Sequence, residues 1–322
     1  MIQFTHNNYL KFGWGDGLYN FNDKDQQFWV GFDRANYIPT SFKDECLRAA
    51  RLIGEAADKP ILVLLSGGID SEVAARCFLE AGVPFEVVTA NIIYNGKIVN
   101  DNDTKYTTAF IKKFNLKAHS IDIDLIDDIV NRSKEIQATN DPSEPYYRVS
   151  LVFLNILTVC ERFSENYYCV TGAGNVVMDT YRTHRQTAQK QTGDIKYGLY
   201  FKNACTVSAA STYEVAYRQS VNLTRFFCYT PELLLSWVLE PDVQHWIKYE
   251  KALMGPHGWM NSNVAKSFTL YKIWSDMEIR PKLSGWENMQ EFLELNDSYY
   301  DDTTYVKIPI DDFLDKLLPK TP

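Results

Sequence analysis

The sequence predicts an α/β protein: a parallel twisted sheet with helices on both faces, a mainly helical C-terminal region and a small N-terminal β-rich cap. Three observations predict it. Apolar runs alternate with helically periodic segments from about residue 59 to residue 175, and a βαβα order requires crossovers and so parallel strands. The first such run, Ile61 to Leu65, is continuous rather than alternating, as expected of a strand covered on both faces. From Pro231 the chain turns helical and rich in Trp and Leu.

Each element follows from local chemistry. Residues 1 to 40 are aromatic with Gly and Asn clusters, and "GWGDGLYNF" at 13 to 21 reads as a hairpin turn between short strands. Ser41 is placed to cap a helix, with Glu45 near the spacing of a capping box. Cys46, Leu47, Ala50, Leu52, Ile53 and Ala56 recur behind it at helical spacing. After the 61–65 strand, Glu72 to Ala81 reads as a helix stopped by Gly82 and Pro84. Phe85 to Ala90 is a second strand. Tyr106, Ala109, Phe110, Lys113 and Phe114 give a second helix with its aromatics on one face. "AHSIDID" at 118 to 124 is a third strand, and helical patterns cover 125 to 138 and 147 to 163. "YYCVTGAGN" at 167 to 175 is a fourth strand entering a Gly-rich turn. Residues 182 to 222 are polar, a long loop or a small hairpin. The expected division is a cap and leading helix over 1–58, an α/β core over 59–182, and a polar loop plus helical region over 183–322.

Composition excludes some classes of function. The net charge is −8, which argues against tight, sequence-independent binding of nucleic acid. The six cysteines include no C-x-x-C pair, which argues against a zinc ribbon, an iron–sulfur site and a thioredoxin-like pair. No apolar run reaches the roughly 18–20 residues of a membrane span. The N-terminus lacks a signal peptide's basic start and apolar core, so a cytoplasmic protein is expected.

The chemistry centres on Ser66-Gly67-Gly68-Ile69-Asp70-Ser71, at the carboxyl end of the 61–65 strand, where ligands of open parallel sheets bind. Glycines let backbone N–H groups approach an anion, and the following helix N-terminus adds positive potential. Ser66 and Ser71 add hydroxyls. Asp70 would repel a phosphate unless a divalent cation lay between them, an arrangement that suits Mg2+. The loop is neither a GxxxxGK[ST] P-loop nor a GxGxxG turn.

This S-G-G-x-D-S loop, with its strand before and helix after, resembles that of the N-type ATP pyrophosphatases, the PP-loop superfamily. Over roughly residues 55 to 290 the chain is most similar to the synthetase domain of asparagine synthetase and β-lactam synthetase. "CVTGAGNVVMDTY" resembles that family's second loop, and "KSFTLYKIWSDMEIRPKLSGWE" its Lys-containing helix and Arg-Pro-Lys element. The resemblance implies an adenine nucleotide alpha hydrolase-like fold. It also implies an ATP-dependent ligase: a substrate carboxylate takes AMP, pyrophosphate leaves, and ammonia or an amine then forms an amide. By the same resemblance, Ser66, Gly67, Gly68 and Ser71 hold pyrophosphate, Asp70 holds Mg2+, Thr171 and Gly172 border adenosine, and Lys282 and Lys266 serve catalysis.

Two departures bear on activity. No cysteine follows Met1, and about 58 residues before the first core strand leave no room for a glutaminase domain. The expected nitrogen source is free ammonia, a substrate amine or a separate ammonia-supplying subunit. The family's second metal-binding aspartate falls on Val176, with Asn175 and Asp179 as candidate replacements. Two other readings stay open: a base- or nucleotide-modifying PP-loop enzyme (amidation or thiolation), and a nucleotide-binding pseudoenzyme. His184, between Arg182 and Arg185, is a weaker candidate for meeting an anionic substrate.

Overall fold

The computed structural model describes residues 2–5, 9–14, 28–132, 151–172, 176–182, 195–201, 221–244, 273–277, 308–309, 314–315 and 317–320. The main helices among the described residues are α1 (Phe42–Ala56), α2 (Ile69–Ala81), α3 (Asp101–Phe114), a π-helix (Leu125–Asn131), α4 (Leu151–Phe163) and α5 (Pro231–Leu239).

Among the described residues three sheets are formed. Strands β1 (Ile2–Thr5), β2 (Leu10–Trp14) and β3 (Phe28–Phe32) make an antiparallel N-terminal sheet, which agrees with the expected β-rich cap. The main sheet holds β4 (Ile61–Leu64), β5 (Phe85–Tyr94), β6 (Lys97–Ile98), β7 (Ala118–Asp124) and β8 (Tyr168–Thr171), together with β11 (Thr224–Arg225). Its order is β11-β8-β4-β5, with β7 on the far edge of β5, and all of these pairs are parallel. Only the short β6 runs antiparallel. The third sheet is antiparallel: β9 (Val176–Arg182), β10 (Ile195–Phe201) and β12 (Ile308–Pro309). The polar stretch read as a loop or small hairpin is thus partly a hairpin, and its first strand begins earlier, at Val176.

Strand order locates the ligand crevice. From β4 the chain moves outward to β5 and β7, then crosses back to β8 on the other side of β4. The direction reverses between β4 and β8, and such a switch point opens a crevice at the strands' carboxyl ends. The loop after β4 and the turn after β8 both lie there.

Burial explains the packing. Ile61 to Leu65 are all buried, as a doubly covered strand requires. Helix α2 lies against β4 and α3 against β5, and α1 packs on α2 and on α5, with Cys46, Ala49, Ala50 and Ile53 of α1 and Phe78 of α2 fully buried. Phe78 meets Phe226, the residue after β11, at 5.8 Å between ring centroids. Residues 221–239 are therefore built into the same core as β4, well beyond residue 182. Helix α4 and the π-helix pack together against β5, β7 and β8, and Phe163 of α4 meets His119 of β7 at 5.4 Å.

Local stops follow the chemistry read from the sequence, with one difference. Gly82 ends α2 at φ 69°, the left-handed position glycine favours. Ser41 Oγ accepts from the Asp44 N–H at 3.2 Å, a one-sided cap. Glu45 does not complete a capping box. It is buried, accepting from the Tyr37 hydroxyl at 2.7 Å and lying 3.4 Å from Arg48. Burial raises the Tyr37 hydroxyl, and the Glu45 bond takes it further, to about 12. Arg48 also reaches Glu232 of α5 at 3.3 Å, which is fully buried and accepts from Asn36. This polar cluster ties the strand-to-helix linker, α1 and α5 together.

Candidate functional site

The site starts where β4 ends. Leu65 still donates to the Val88 carbonyl at 2.9 Å, and Ser66 then leaves the sheet. Gly67 takes φ 87°, a conformation costly for other residues. Gly68 is the N-cap of α2 in extended backbone and makes no side-chain cap bond. The N-terminus of α2 opens at this loop, and its amides and dipole favour an anion there.

Hydroxyls hold the loop in shape. Ser71 is buried. Its Oγ donates to the Gly68 carbonyl at 2.9 Å and accepts from the Ser66 N–H at 3.1 Å. Its one proton is committed to Gly68, so in the 3.1 Å pair between the two hydroxyls Ser66 is the donor. Ser66 Oγ in turn accepts from the Gly68 N–H at 3.3 Å. Ser71 is the internal strut of the loop, and the exposed Ser66 is the hydroxyl a ligand can recruit.

Two backbones close around this loop, and glycine permits each approach. A Cβ on Gly67 would stand 2.8 Å from the carbonyl carbon of Asp103, in the first turn of α3, with the carbonyl oxygen nearer still. A Cβ on Gly172 would stand 2.7 Å from the carbonyl carbon and oxygen of Asp70 and 2.8 Å from the Ser71 nitrogen. The cradle is thus bounded by α3 on one side and by the end of β8 on the other. Asp70, in the first turn of α2, is half-buried, with Oδ1 shielded from solvent.

The structure therefore brings together Ser66, Gly67, Gly68, Asp70, Ser71, Thr171 and Gly172. Thr171 is buried, pairs with Leu64 and Arg225, and its carbonyl accepts from the Phe226 N–H at 3.0 Å. Asp179 lies in β9 opposite Gly198. Asn175, His184, Lys266 and Lys282 lie outside the described residues. Sequence reasoning passed over Asn100 and Asp103, although "VNDNDT" before a helix is a strong polar start signal. It also passed over Arg225, buried one strand beyond β8. Burial raises the Cys228 thiol, and the Arg225 guanidinium beside it opposes that rise.

Two further polar groups lie away from the cradle. On the helix layer, Arg76 of α2 bonds Glu72 at 2.9 Å and Asp276 at 2.9 Å. Asp276 also meets Lys113 at 2.6 Å, and Trp274 donates to Glu80 at 2.6 Å. Residues 273–277 are thereby pinned across α2 and α3. At the amino end of the sheet, Glu86 is held by Lys117 and His119, both at 2.6 Å, and by Tyr167 at 2.9 Å.

A parallel sheet with a Gly-rich, Ser- and Asp-bearing loop at its switch point is an open α/β architecture whose crevice suits an anionic ligand. Residues 60–147 match the sequence model of the family described as "Queuosine biosynthesis protein QueC", a stretch that includes β4, the loop, α2, β5, α3 and β7. No curated protein matches the chain. Among solved structures, the chain is similar to a predicted subunit of tRNA methyltransferase from Methanocaldococcus jannaschii, at 16% identity and TM-score 0.27, over 52% of this chain and 66% of that one, just under two thirds. It is also similar to NMN synthetase from Francisella tularensis, at 14% identity and TM-score 0.31, over 76% and 100% of the two chains. A third is U34-tRNA thiolase NcsA from Methanococcus maripaludis with its [4Fe-4S] cluster, at 14% and TM-score 0.32, over 79% and 80%. Superpositions this loose add nothing to the description of the site.

Proposed function

We propose that the protein is an ATP-dependent PP-loop enzyme that activates an oxygen of its substrate by adenylylation, releases pyrophosphate, and then lets a nitrogen nucleophile displace AMP. The proposed substrate class is a nucleobase or nucleotide bearing a carboxylate or carbonyl. The observation that carries this is the coincidence of the QueC match with the cradle: the matched segment contains the loop, both helix N-termini beside it and the close approach at Gly67.

The chemistry needs little covalent help from the protein. The substrate oxygen attacks the α-phosphorus, and the bond to the bridging oxygen breaks. Negative charge grows on the leaving pyrophosphate, so preorganised donors there lower the barrier. Ser66, Gly68 and the α2 first turn supply such donors, and Ser71 keeps them in place. Ammonia or an amine then attacks the activated carbon, AMP leaves with the electron pair, and the nitrogen loses a proton. Lys282 and Lys266 are proposed to offset charge around the phosphates. Thr171 and Gly172 are proposed to border the adenosine.

The residues present fit Mg2+. Among the described residues no group of three or more metal-binding side chains converges, but this ion commonly uses one or two carboxylates and completes its shell with phosphate oxygens and water. Asp70 would hold it, with Asn175 or Asp179 as the proposed second protein ligand. Bound there, it would neutralise phosphate charge as pyrophosphate departs.

Nitrogen transfer is favoured over thiolation because the sequence has no C-x-x-C pair and the cysteines among the described residues, Cys46, Cys77, Cys160, Cys169 and Cys228, are buried; Cys205 lies outside the described residues. An asparagine synthetase-like reaction on a free carboxylate shares the first step and differs only in the substrate. No helix among the described residues is long and apolar enough to cross a membrane, and a cytoplasmic location is proposed. A separate subunit supplying ammonia is the proposed partner where free ammonia does not serve.

The test is ATP–pyrophosphate exchange with Mg2+ and a panel of nucleobase carboxylates, nucleotides and amino acids. Exchange supported by a base-derived acid is the expected result. Exchange with amino acids alone would move the substrate to the asparagine synthetase-like reaction. ATP binding with no exchange for any acid would make the protein a nucleotide-binding module instead.

A further inference from the structure

Asn100 stands where a strand is missing. Along one edge of β5, the Val88 carbonyl accepts from the Leu65 N–H at 2.9 Å, and the Ile92 carbonyl accepts from the Val99 N–H at 2.9 Å. Between these points β4 has already left the sheet and β6 has not yet joined it. One side chain fills the gap. Asn100 Nδ2 donates to the Ala90 carbonyl at 2.8 Å, and Oδ1 accepts from the Ile92 N–H at 2.9 Å. The carboxamide carries a donor and an acceptor like a peptide group, so it stands in for one residue of strand, and it is buried there.

The same residue starts α3. The Asp103 and Thr104 N–H groups donate to the Asn100 carbonyl at 3.1 and 3.2 Å. Asn100 is thus fixed to the sheet by its side chain and to the helix by its backbone. It sets the first turn of α3 above the end of β4, and the Asp103 carbonyl of that turn is what lies against Gly67.

We propose that Asn100 is a positioning residue for the pyrophosphate half of the cradle. It acts through the Asp103–Gly67 contact, which holds the left-handed turn from which α2 begins. This rests on the ATP reading given above. The adenosine half is assigned to Thr171 at the end of β8 and the Gly172 that follows it, across β4 from α3, and does not depend on that contact. Asn100→Asp keeps the shape but loses the donor and sets an anionic oxygen against the Ala90 carbonyl. The effect should therefore appear with ATP and not with AMP, whereas general loosening of the fold would weaken both.

The experiment is calorimetric titration of Mg2+–ATP and of AMP into the unaltered protein and into Asn100→Asp. ATP affinity is expected to fall about tenfold or more, in line with one charge-assisted hydrogen bond, while AMP affinity stays within about twofold. Gly67→Ala disturbs the same contact from the loop side, should give the same selective loss, and serves where Asn100→Asp does not fold. Equal losses for both nucleotides, or unchanged ATP affinity, overturn the inference and leave the ATP reading standing. Failure of the unaltered protein to bind Mg2+–ATP overturns the ATP reading and the inference with it.

Discussion

Gly172→Ala tests the architecture of the cradle with one added methyl group. Gly172 is not in the left-handed region, so the penalty is purely steric. The new Cβ would lie 2.7 Å from the Asp70 carbonyl carbon and oxygen and 2.8 Å from the Ser71 nitrogen. Ordinary contact begins near 3.4 Å, so something must move by about 0.7 Å. Neither side yields easily. Gly172 directly follows β8, which is paired to both β4 and β11. The first turn of α2 is held by the Ser71 strut and by the buried Glu72–Arg76 pair. Overpacking of this kind costs about 1–3 kcal/mol. The displaced atoms carry Asp70 and Ser71, and a misplacement approaching 1 Å at reacting groups costs on the order of 100-fold in rate. Urea unfolding should show the stability loss, and pyrophosphate release should fall by about 10- to 100-fold. Two matched variants frame the result. Gly68→Ala meets only Ser66 Oγ, at 3.4 Å, and should change stability by no more than about 0.5 kcal/mol. Gly82→Ala enters open space at φ 69° and should cost about 1 kcal/mol with no effect on ATP. A Gly172→Ala protein that keeps the stability and the pyrophosphate release of the unaltered protein refutes the packing argument.

Other expectations follow from the same geometry. Burial raises the Glu86 carboxyl, but the hydrogen bonds from Lys117, His119 and Tyr167 outweigh it and hold the group at about 2. Its contribution is therefore complete above the ordinary glutamate range near 4.5 and is lost as pH falls from there towards 2. With the side chain 18% exposed, solvent screening leaves about 1–2 kcal/mol of it. The stability gap between the unaltered protein and Glu86→Gln should shrink over that acid range, and a gap independent of pH would refute the assignment. Arg76→Met removes the buried ion pair with Glu72 and should cost about 3 kcal/mol, whereas Asp276→Asn, at the exposed end of the same group, should cost no more than about 1 kcal/mol; similar urea midpoints for the two would contradict this. Lys282→Ala should slow adenylylation far more than it weakens ATP binding, and equal losses would reduce Lys282 to a binding role.

The cradle was legible in the sequence because its signals are local. A continuous apolar run, two glycines and a helical pattern identify β4, the loop and α2 with no tertiary information. What escaped notice depends on chain segments far apart. Strand β11 is two residues long and forms only because β8 offers it an edge. No period can announce so short a strand. Residues 273–277 dock through Asp276 and Trp274 onto helices about 200 positions earlier. The tight turn at Asn95-Gly96, with both residues at positive φ, was different. An Asn-Gly pair between apolar residues is a strong hairpin signal, and it explains why β5 runs on to Tyr94 instead of ending at Ala90. Reading it would have placed the start of α3, and so Asn100, over the end of β4.

The Val176 problem takes a sharper form once β9 is known to be a strand. Val176 opens β9, four residues after the Gly172 that closes on the first turn of α2. Asp179 lies three residues further along the strand, opposite Gly198, about 10 Å from Val176 at the usual strand rise. Asn175 adjoins Val176 in the sequence. The expected result is that Asp70→Asn abolishes exchange at any Mg2+ concentration, that Asn175→Ala raises the Mg2+ requirement about tenfold, and that Asp179→Asn leaves it within about twofold. A requirement that rises with Asp179→Asn and not with Asn175→Ala would refute the ranking and make Asp179 the second ligand.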